Sequence, residues 1–154
     1  MRLALYQPDI PQNTGTILRL SACMNVAVDV IGPAGFDLSD RMLRRAALDY
    51  LHYVDLTRHV SWEEYVASRR KATSPGRLIL LSARGEHPYT KFRFASDDTL
   101  LLGRESAGVP ESVRALADAS VRIPMRTGLR SLNVAVSAAM VLGEALRQTQ
   151  LFPE

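Results

Sequence analysis

The sequence predicts an α/β fold, with a mostly parallel sheet and helices on both faces. Short apolar segments such as Arg2–Tyr6 and Thr99–Leu102 alternate with helical segments along the chain, an order typical of α/β layers. These segments are continuous apolar runs, as expected of strands buried on both faces of a parallel sheet. In such sheets ligands bind beyond the carboxyl ends of the strands, so the loops that follow the strands are the expected place for a site.

The elements follow from local signals. The predicted strands, in order, are Arg2–Tyr6, Ala27–Ile31, Leu51–Val54, Arg77–Ser82, Thr99–Leu102 and Val121–Ile123. The first predicted helix is capped by Asn13 or Thr14 and ends near Met24, and the second is Asp40–Ala47, with Asp40 as its cap. Ser61 caps the third. The fourth is Pro110–Ala117, and the last begins at Ser131-Leu132-Asn133. Glu64 follows Ser61 at the spacing of a capping box, and Gly32-Pro33 and Pro124 end their strands.

The totals predict one domain, residues 1–154, with an ordinary core. The first residues turn polar too soon for a signal peptide. The single cysteine, Cys23, excludes an intrachain disulfide, and no cysteine–histidine spacing indicates a metal site. We therefore expect a cytoplasmic protein without structural zinc.

The charge indicates a polyanionic partner. The net charge is +3 and the isoelectric point is near 9.3, and the arginines are clustered. For Arg69–Lys71 a solvated helix face is the favoured interpretation. Arg126 and Arg130 flank the loop before the last helix, where they suit RNA phosphates, and Arg44 and Arg45 form another basic cluster.

The last helix is apolar on nearly all sides from Leu132 to Leu142. Such a helix must be covered, yet eleven residues are too few to span a bilayer, which needs about 20. Small residues permit close approach of another backbone at Ala135, Ala138, Ala139 and Gly143. The sequence favours a homodimer through this helix over coverage by the chain's own sheet alone.

Candidate site residues lie in three distant segments. No Gly-x-Gly-x-x-Gly, Walker loop or Gly-x-Ser-x-Gly elbow is present. Arg19 lies among small helical neighbours, which fits either a structural ion pair or a guanidinium held at a site. Glu105 lies between two glycines, where it could pair with Arg19 or bind a ribose. Ser131 and Asn133 both stand at a helix start, although only one can be its cap.

Three motifs resemble those of the SPOUT RNA methyltransferases. They are Asn13-Thr14-Gly15-Thr16-Ile17-Leu18-Arg19, Leu102-Gly103-Arg104-Glu105-Ser106-Ala107-Gly108-Val109-Pro110, and Ile123-Pro124-Met125 with Ser131-Leu132-Asn133-Val134-Ala135. The likeness covers essentially the whole chain. It is closest to minimal single-domain enzymes that methylate the ribose of the wobble nucleotide of tRNA, whose openings resemble Tyr6–Gly15 and Leu43–Tyr50.

The resemblance implies a deep C-terminal trefoil knot, a homodimer through the last helix with sites completed by both subunits, and S-adenosylmethionine as cofactor. The residues implied to bind the cofactor are Leu81, Gly103, Ile123, Met125, Ser131 and Leu132. The reaction would methylate the 2′-hydroxyl of the wobble cytidine or uridine. Arg19 would accept the proton of the 2′-hydroxyl or stabilise the developing alkoxide. Arg19 and the ribose would be oriented by Asn13, Glu105, Ser131 and Asn133.

Two alternatives remain open at this point. The same chemistry could act on another RNA, such as ribosomal RNA, or the chain could be a knotted RNA-binding protein without catalysis. The chain departs from close relatives at Gly143 and Leu146, where those relatives often carry aromatic residues.

Overall fold

The fold is a seven-stranded sheet whose strand pairings are all parallel, in the order β3-β2-β1-β6-β4-β7-β5. The computed structural model describes residues 1–37, 39 and 41–154. The strands are β1 Arg2–Tyr6, β2 Ala27–Ile31, β3 Leu56–His59, β4 Leu78–Leu81, β5 His87–Pro88, β6 Thr99–Leu102 and β7 Ala119–Arg122. The predicted α/β class and parallel sheet are confirmed.

The helices are α1 Pro11–Met24, α2 Arg41–Ala47, α3 Trp62–Lys71, α4 Glu111–Arg114 and α5 Val134–Thr149, with 3-10 segments at Leu48–Tyr53 and Tyr89–Lys91. Two apolar clusters form, because alternate side chains of a strand point to opposite faces. Leu3 and Leu5 belong to the cluster that includes residues of α1 and α5, and Ala4 belongs to the one that includes Tyr65 of α3. Helices therefore cover both faces, as predicted.

The predicted strand Leu51–Val54 is wrong. Residues 48–53 form a 3-10 helix, and β3 begins later, at Leu56. Leu51 and Val54 both pack against the core, and their spacing of three matches one turn of a 3-10 helix rather than the alternation of a strand. The predicted end of α1 is confirmed, since Asn25 follows Met24 with a left-handed backbone (φ 52°).

Helix starts differ from the predictions in ways that matter for the site. α1 begins at Pro11, and its N-cap residue Ile10 makes no side-chain cap, so neither Asn13 nor Thr14 is the cap. Proline suits the first helical position because its missing N–H would have no partner there. The cap at Ser61 is confirmed, with the Glu64 N–H 3.3 Å from its hydroxyl. The cap predicted at Asp40 lies outside the described residues.

At the start of α5, Asn133 is the cap. Its Oδ1 accepts from the backbone N–H groups of Ala135 at 2.8 Å and Val136 at 3.3 Å. Ser131 lies two residues before the cap, outside the helix.

The last helix is half buried in the single chain. Ala138, Val141 and Leu142 are buried against the sheet, whereas Val136 and Met140 are 49% and 38% exposed. None of the helices in the described part of the chain has the length and hydropathy to span a bilayer. The trefoil knot stays a prediction.

In the basic cluster Arg69–Lys71, Arg70 and Lys71 are exposed as predicted, but Arg69 is not part of the solvated face. The Arg69 guanidinium donates to Thr99 Oγ1 and to the Gly76 carbonyl, both at 2.9 Å. These hydrogen bonds join α3 to β6 and to the loop before β4, so Arg69 has a structural role.

Candidate active site

A cavity of about 850 Å³ lies at the carboxyl ends of the central strands. The loops after β4, β6 and β7 surround it, together with the starts of α1 and α5. This position follows from the parallel sheet, because all of its strands end at the same edge. The three segments singled out from the sequence therefore meet at one place.

A chain of hydrogen bonds joins these segments. The Asn133 side-chain amide donates to Asn13 Oδ1 at 2.9 Å, and the Asn13 amide donates to Glu105 Oε1 at 3.3 Å. The other Glu105 oxygen, Oε2, accepts from the Asp9 backbone N–H at 3.0 Å. Asn13 is available for this role because the cap of α1 does not use it. The three side chains line the cavity, so each holds the next in a defined orientation there.

The Glu105 carboxyl lies beside a second carboxyl, that of Asp9. Burial, and then the contact with Asp9, raise the pKa of Glu105. The pKa of Asp9 is lowered, chiefly by its hydrogen bonding with Glu105 and then with Ser106. Arg104 adds a positive charge, with its Nε 3.9 Å from Asp9 Oδ2. A carboxylate with a raised pKa is a better proton acceptor than an ordinary one.

All six residues implied to hold a cofactor line this cavity: Leu81, Gly103, Ile123, Met125, Ser131 and Leu132. Arg130 lines it as well, whereas Arg126 is not among its lining residues. Arg44 and Arg45 lie elsewhere, at a shallow depression on α2 that Arg41 and His52 also line. Among the described residues, no cluster of three or more metal-ligating side chains occurs.

Arg19 does not reach the cavity of its own chain. Its side chain is exposed on α1, and its guanidinium lies 5.2 Å from the centroid of the Tyr50 ring. It forms no ion pair within the described part of the chain, so both the structural ion pair and the pairing with Glu105 are wrong for the single chain. A residue six positions after Asn13 lies about 9 Å further along the helix and about 120° around it.

The structure adds residues that the sequence did not single out. Ser82 and Arg114, joined by a hydrogen bond of 3.2 Å, line the cavity, as does Ser137. Asp9 lies just behind it and contacts Glu105. Two signals for Asp9 were available: its place in the loop after β1, at the expected edge, and its inclusion in Tyr6–Gly15, the stretch that resembles the family.

Comparison with known proteins defines the class. Residues 1–143 match the family model described as the SpoU rRNA Methylase family, so the chain belongs to this family of RNA methylases. The resemblance carried by the three motifs is confirmed.

Individual relatives are more specific. A protein of Beijerinckia indica named tRNA (cytidine(34)-2'-O)-methyltransferase is 63% identical over 147 residues, which are 95% of this chain and 90% of that one. A solved structure described as giving insights into the 2-OH methylation of C/U34 on tRNA matches with a TM-score of 0.88 and 42% identity, covering 96% of this chain and 94% of that one.

A third relative was solved with a cofactor. The SpoU methyltransferase AviRb from Streptomyces viridochromogenes, in complex with AdoMet, matches with a TM-score of 0.87 and 32% identity. The match covers 96% of this chain and 60% of AviRb.

Proposed function

We propose that this chain is a tRNA methyltransferase that transfers a methyl group from S-adenosylmethionine to the ribose 2′-hydroxyl of cytidine or uridine 34, the wobble nucleotide. The observation that carries the proposal is the joining of Asn13, Glu105 and Asn133 by hydrogen bonds at one cavity. The relatives named for this activity match nearly the full length of the chain.

The cavity fits the cofactor. Its volume of about 850 Å³ is within the range of about 300–1,000 Å³ typical of small-molecule sites. Leu81, Ile123 and Leu132 supply apolar surface for a purine ring, and the Ser131 hydroxyl and the backbone at Gly103 supply polar partners. When bound there, S-adenosylmethionine supplies an electrophilic methyl group on a sulfonium.

The polar residues would hold the nucleotide. Asn13, Glu105, Ser131 and Asn133 lie where they can orient a ribose, and keeping its 2′-oxygen in line with the methyl group provides much of the rate enhancement. As the new O–C bond forms, the bond between the sulfonium sulfur and the methyl group would break, leaving S-adenosylhomocysteine, and the hydroxyl proton would pass to a positioned acceptor. Arginine does not normally deprotonate, so Arg19 stabilises the developing alkoxide or a neighbouring phosphate.

A homodimer through α5 explains how Arg19 could act. The exposed apolar side chains Val136 and Met140 lie on α5, and exposed Leu132 lies just before it. α5 packs beside α1, the helix that carries Arg19. A second copy seated on this face buries these side chains. It also brings Arg19 of one copy toward the cavity of the other, so that both chains complete each site.

The basic side chains would bind tRNA. We assign Arg126 and Arg130, before α5, and Arg44 and Arg45, on α2, to backbone phosphates, so tRNA affinity should fall as salt rises. Because the proposed substrate is a cytoplasmic RNA, the proposal places the protein in the cytoplasm.

Labelled methyl transfer tests the function. The purified protein is incubated with radiolabelled S-adenosylmethionine and either total tRNA or ribosomal RNA, and the product is digested and mapped by mass spectrometry. A 2′-O-methyl group at nucleotide 34 supports the proposal. Label found only in ribosomal RNA supports the related activity named by the family model, and no label in either RNA supports an RNA-binding protein without catalysis.

The role of Arg19 has its own test. Arg19→Ala should abolish transfer while calorimetry with S-adenosylhomocysteine still shows binding, because Arg19 is not one of the cavity residues proposed to hold the cofactor. Arg70→Ala, which removes an exposed arginine on α3, is the matched control. Near-normal turnover by Arg19→Ala removes Arg19 from the mechanism.

A further inference from the structure

Asp9 connects the loop after β1 to the loop that carries Glu105. Its Oδ1 accepts from the Glu105 backbone N–H at 3.2 Å, and its Oδ2 accepts from the Ser106 hydroxyl. In the opposite direction, the Asp9 backbone N–H donates to Glu105 Oε2 at 3.0 Å. Two residues that are 96 positions apart therefore hold each other through both backbone and side chain.

The backbone of Asp9 is itself supported from behind. The Gly35 N–H donates to the Pro8 carbonyl at 2.9 Å, and a Cβ on Gly35 would lie only 3.1 Å from Asp9 Cα and Cβ. Arg104 binds the same loop from the other side, donating to Gln7 Oε1 at 3.4 Å. Asp9 therefore forms a firm anchor for the loop that carries Glu105.

We propose that Asp9 is a positioning residue for methyl transfer, acting through Glu105. It rests on the function proposed above. Asp9 does not line the cavity, so its effect on the reaction passes through Glu105, which does. Without the Asp9 carboxylate, the Glu105 N–H and the Ser106 hydroxyl lose their acceptors, and the Glu105 side chain is no longer held toward Asn13.

The charge of Asp9 matters as well as its shape. In the part of the chain that the structure describes, the charged side chain that contacts the Asp9–Glu105 pair is Arg104, with its Nε 3.9 Å from Asp9 Oδ2. Replacing Asp9 by asparagine keeps one oxygen acceptor but removes a negative charge beside Glu105. The Glu105 carboxyl then ionises more easily, so the acid limb of the pH–rate profile should move to lower pH.

The test compares Asp9→Asn, Asp9→Ala and Asp9→Glu with the wild type, using kcat for tRNA methylation, calorimetry with S-adenosylhomocysteine, and thermal unfolding. Asp37→Asn is the matched control, because Asp37 also accepts a loop N–H, that of Ser39 at 2.7 Å, and is not among the residues lining the cavity. We expect kcat to fall at least tenfold for Asp9→Asn and further for Asp9→Ala, an effect of order 10–100-fold for a displaced reacting group.

Three further readouts separate positioning from a structural role. Cofactor affinity should stay near the wild-type value, the acid limb should shift only in the variants that lack the charge, and Asp9→Glu should regain the wild-type limb with part of kcat.

A kcat for Asp9→Asn within about twofold of the wild type, or an unshifted acid limb, overturns the inference. If Asp9→Asn does not fold, Asp9→Glu decides, since a wild-type limb with partial kcat supports the inference and a shifted limb overturns it. A wild type that does not methylate tRNA overturns the proposed function itself. If the wild type is active and the Asp9 variants have the same kcat and pH profile, only this inference is overturned.

Discussion

Asn133 performs two roles that substitution can separate. Its Oδ1 caps α5 by accepting two backbone N–H groups, and its amide nitrogen donates to Asn13 Oδ1 at 2.9 Å. Aspartate caps a helix as well as asparagine does, but it has no amide hydrogen to donate. Asn133→Asp therefore removes the link to Asn13 and retains the cap, whereas Asn133→Ala removes both.

The magnitudes follow from these contacts. Loss of an N-cap costs about 1 kcal/mol in the free energy of unfolding, which lowers Tm by about 2–4 °C in a chain of this size. Asn133→Ala should show this loss and Asn133→Asp should not, since a negative charge at a helix N-terminus is favourable. Asn13 cannot compensate by rotating its amide, because its nitrogen must face Glu105.

Thermal unfolding and kcat for tRNA methylation, measured on both variants, test this reasoning. Both variants should lose at least about tenfold in kcat, because the ribose-holding side chains are no longer held in place. Wild-type turnover by Asn133→Asp would show that the hydrogen bond to Asn13 has no part in the reaction. A wild-type Tm for Asn133→Ala would show that the cap stabilises the fold by less than the expected free energy.

Three other expectations follow from packing and burial. Gly15→Ala should lower the free energy of unfolding by about 1–2 kcal/mol, because the added methyl group would lie 2.5 Å from the Leu43 carbonyl oxygen. This overpacking outweighs the gain in helix propensity. A raised Tm would contradict this expectation. Val136→Arg should convert a dimer into single chains of 17.0 kDa in light scattering, and a monomeric wild type refutes the dimer. Burial raises the pKa of Tyr65 to about 12. The stability contributed by its neutral form should therefore be present below pH 10 and lost as pH approaches 12. An absorbance titration should show one tyrosine that ionises at higher pH than the others, and Tyr65→Phe should remove it.

The central strands were predicted well because burial on both faces gives a continuous apolar run, whereas the edge strand β3 was misplaced and the edge strand β5 was not predicted. Arg2–Tyr6, Ala27–Ile31 and Thr99–Leu102 match the structure residue for residue. The short segment Leu51–Val54 failed, because two apolar residues three positions apart satisfy either a strand edge or a 3-10 turn. Propensity alone could not choose between these, and packing against the core decided it.

The candidate site was predicted as a location more successfully than as a set of contacts. The cavity holds all six residues implied for the cofactor, together with Asn13, Glu105 and Asn133. Arg19 is the exception, because six positions along α1 place it about 9 Å further along the helix than Asn13 and about 120° around it. With Pro11 as the first helical residue, Asn13 turns toward Glu105 and Arg19 turns toward Tyr50.

The sequence by itself determined the parallel sheet and the edge at which its loops gather, since these follow from apolar runs and from alternation of strands with helices. Only the tertiary structure decided which polar groups in those loops bond to one another. The Asn133–Asn13 bond joins residues 120 positions apart, and the Asp9–Glu105 contacts join residues 96 apart. Such pairs depend on the phase of each helix and the path of each loop, and long-range packing sets both.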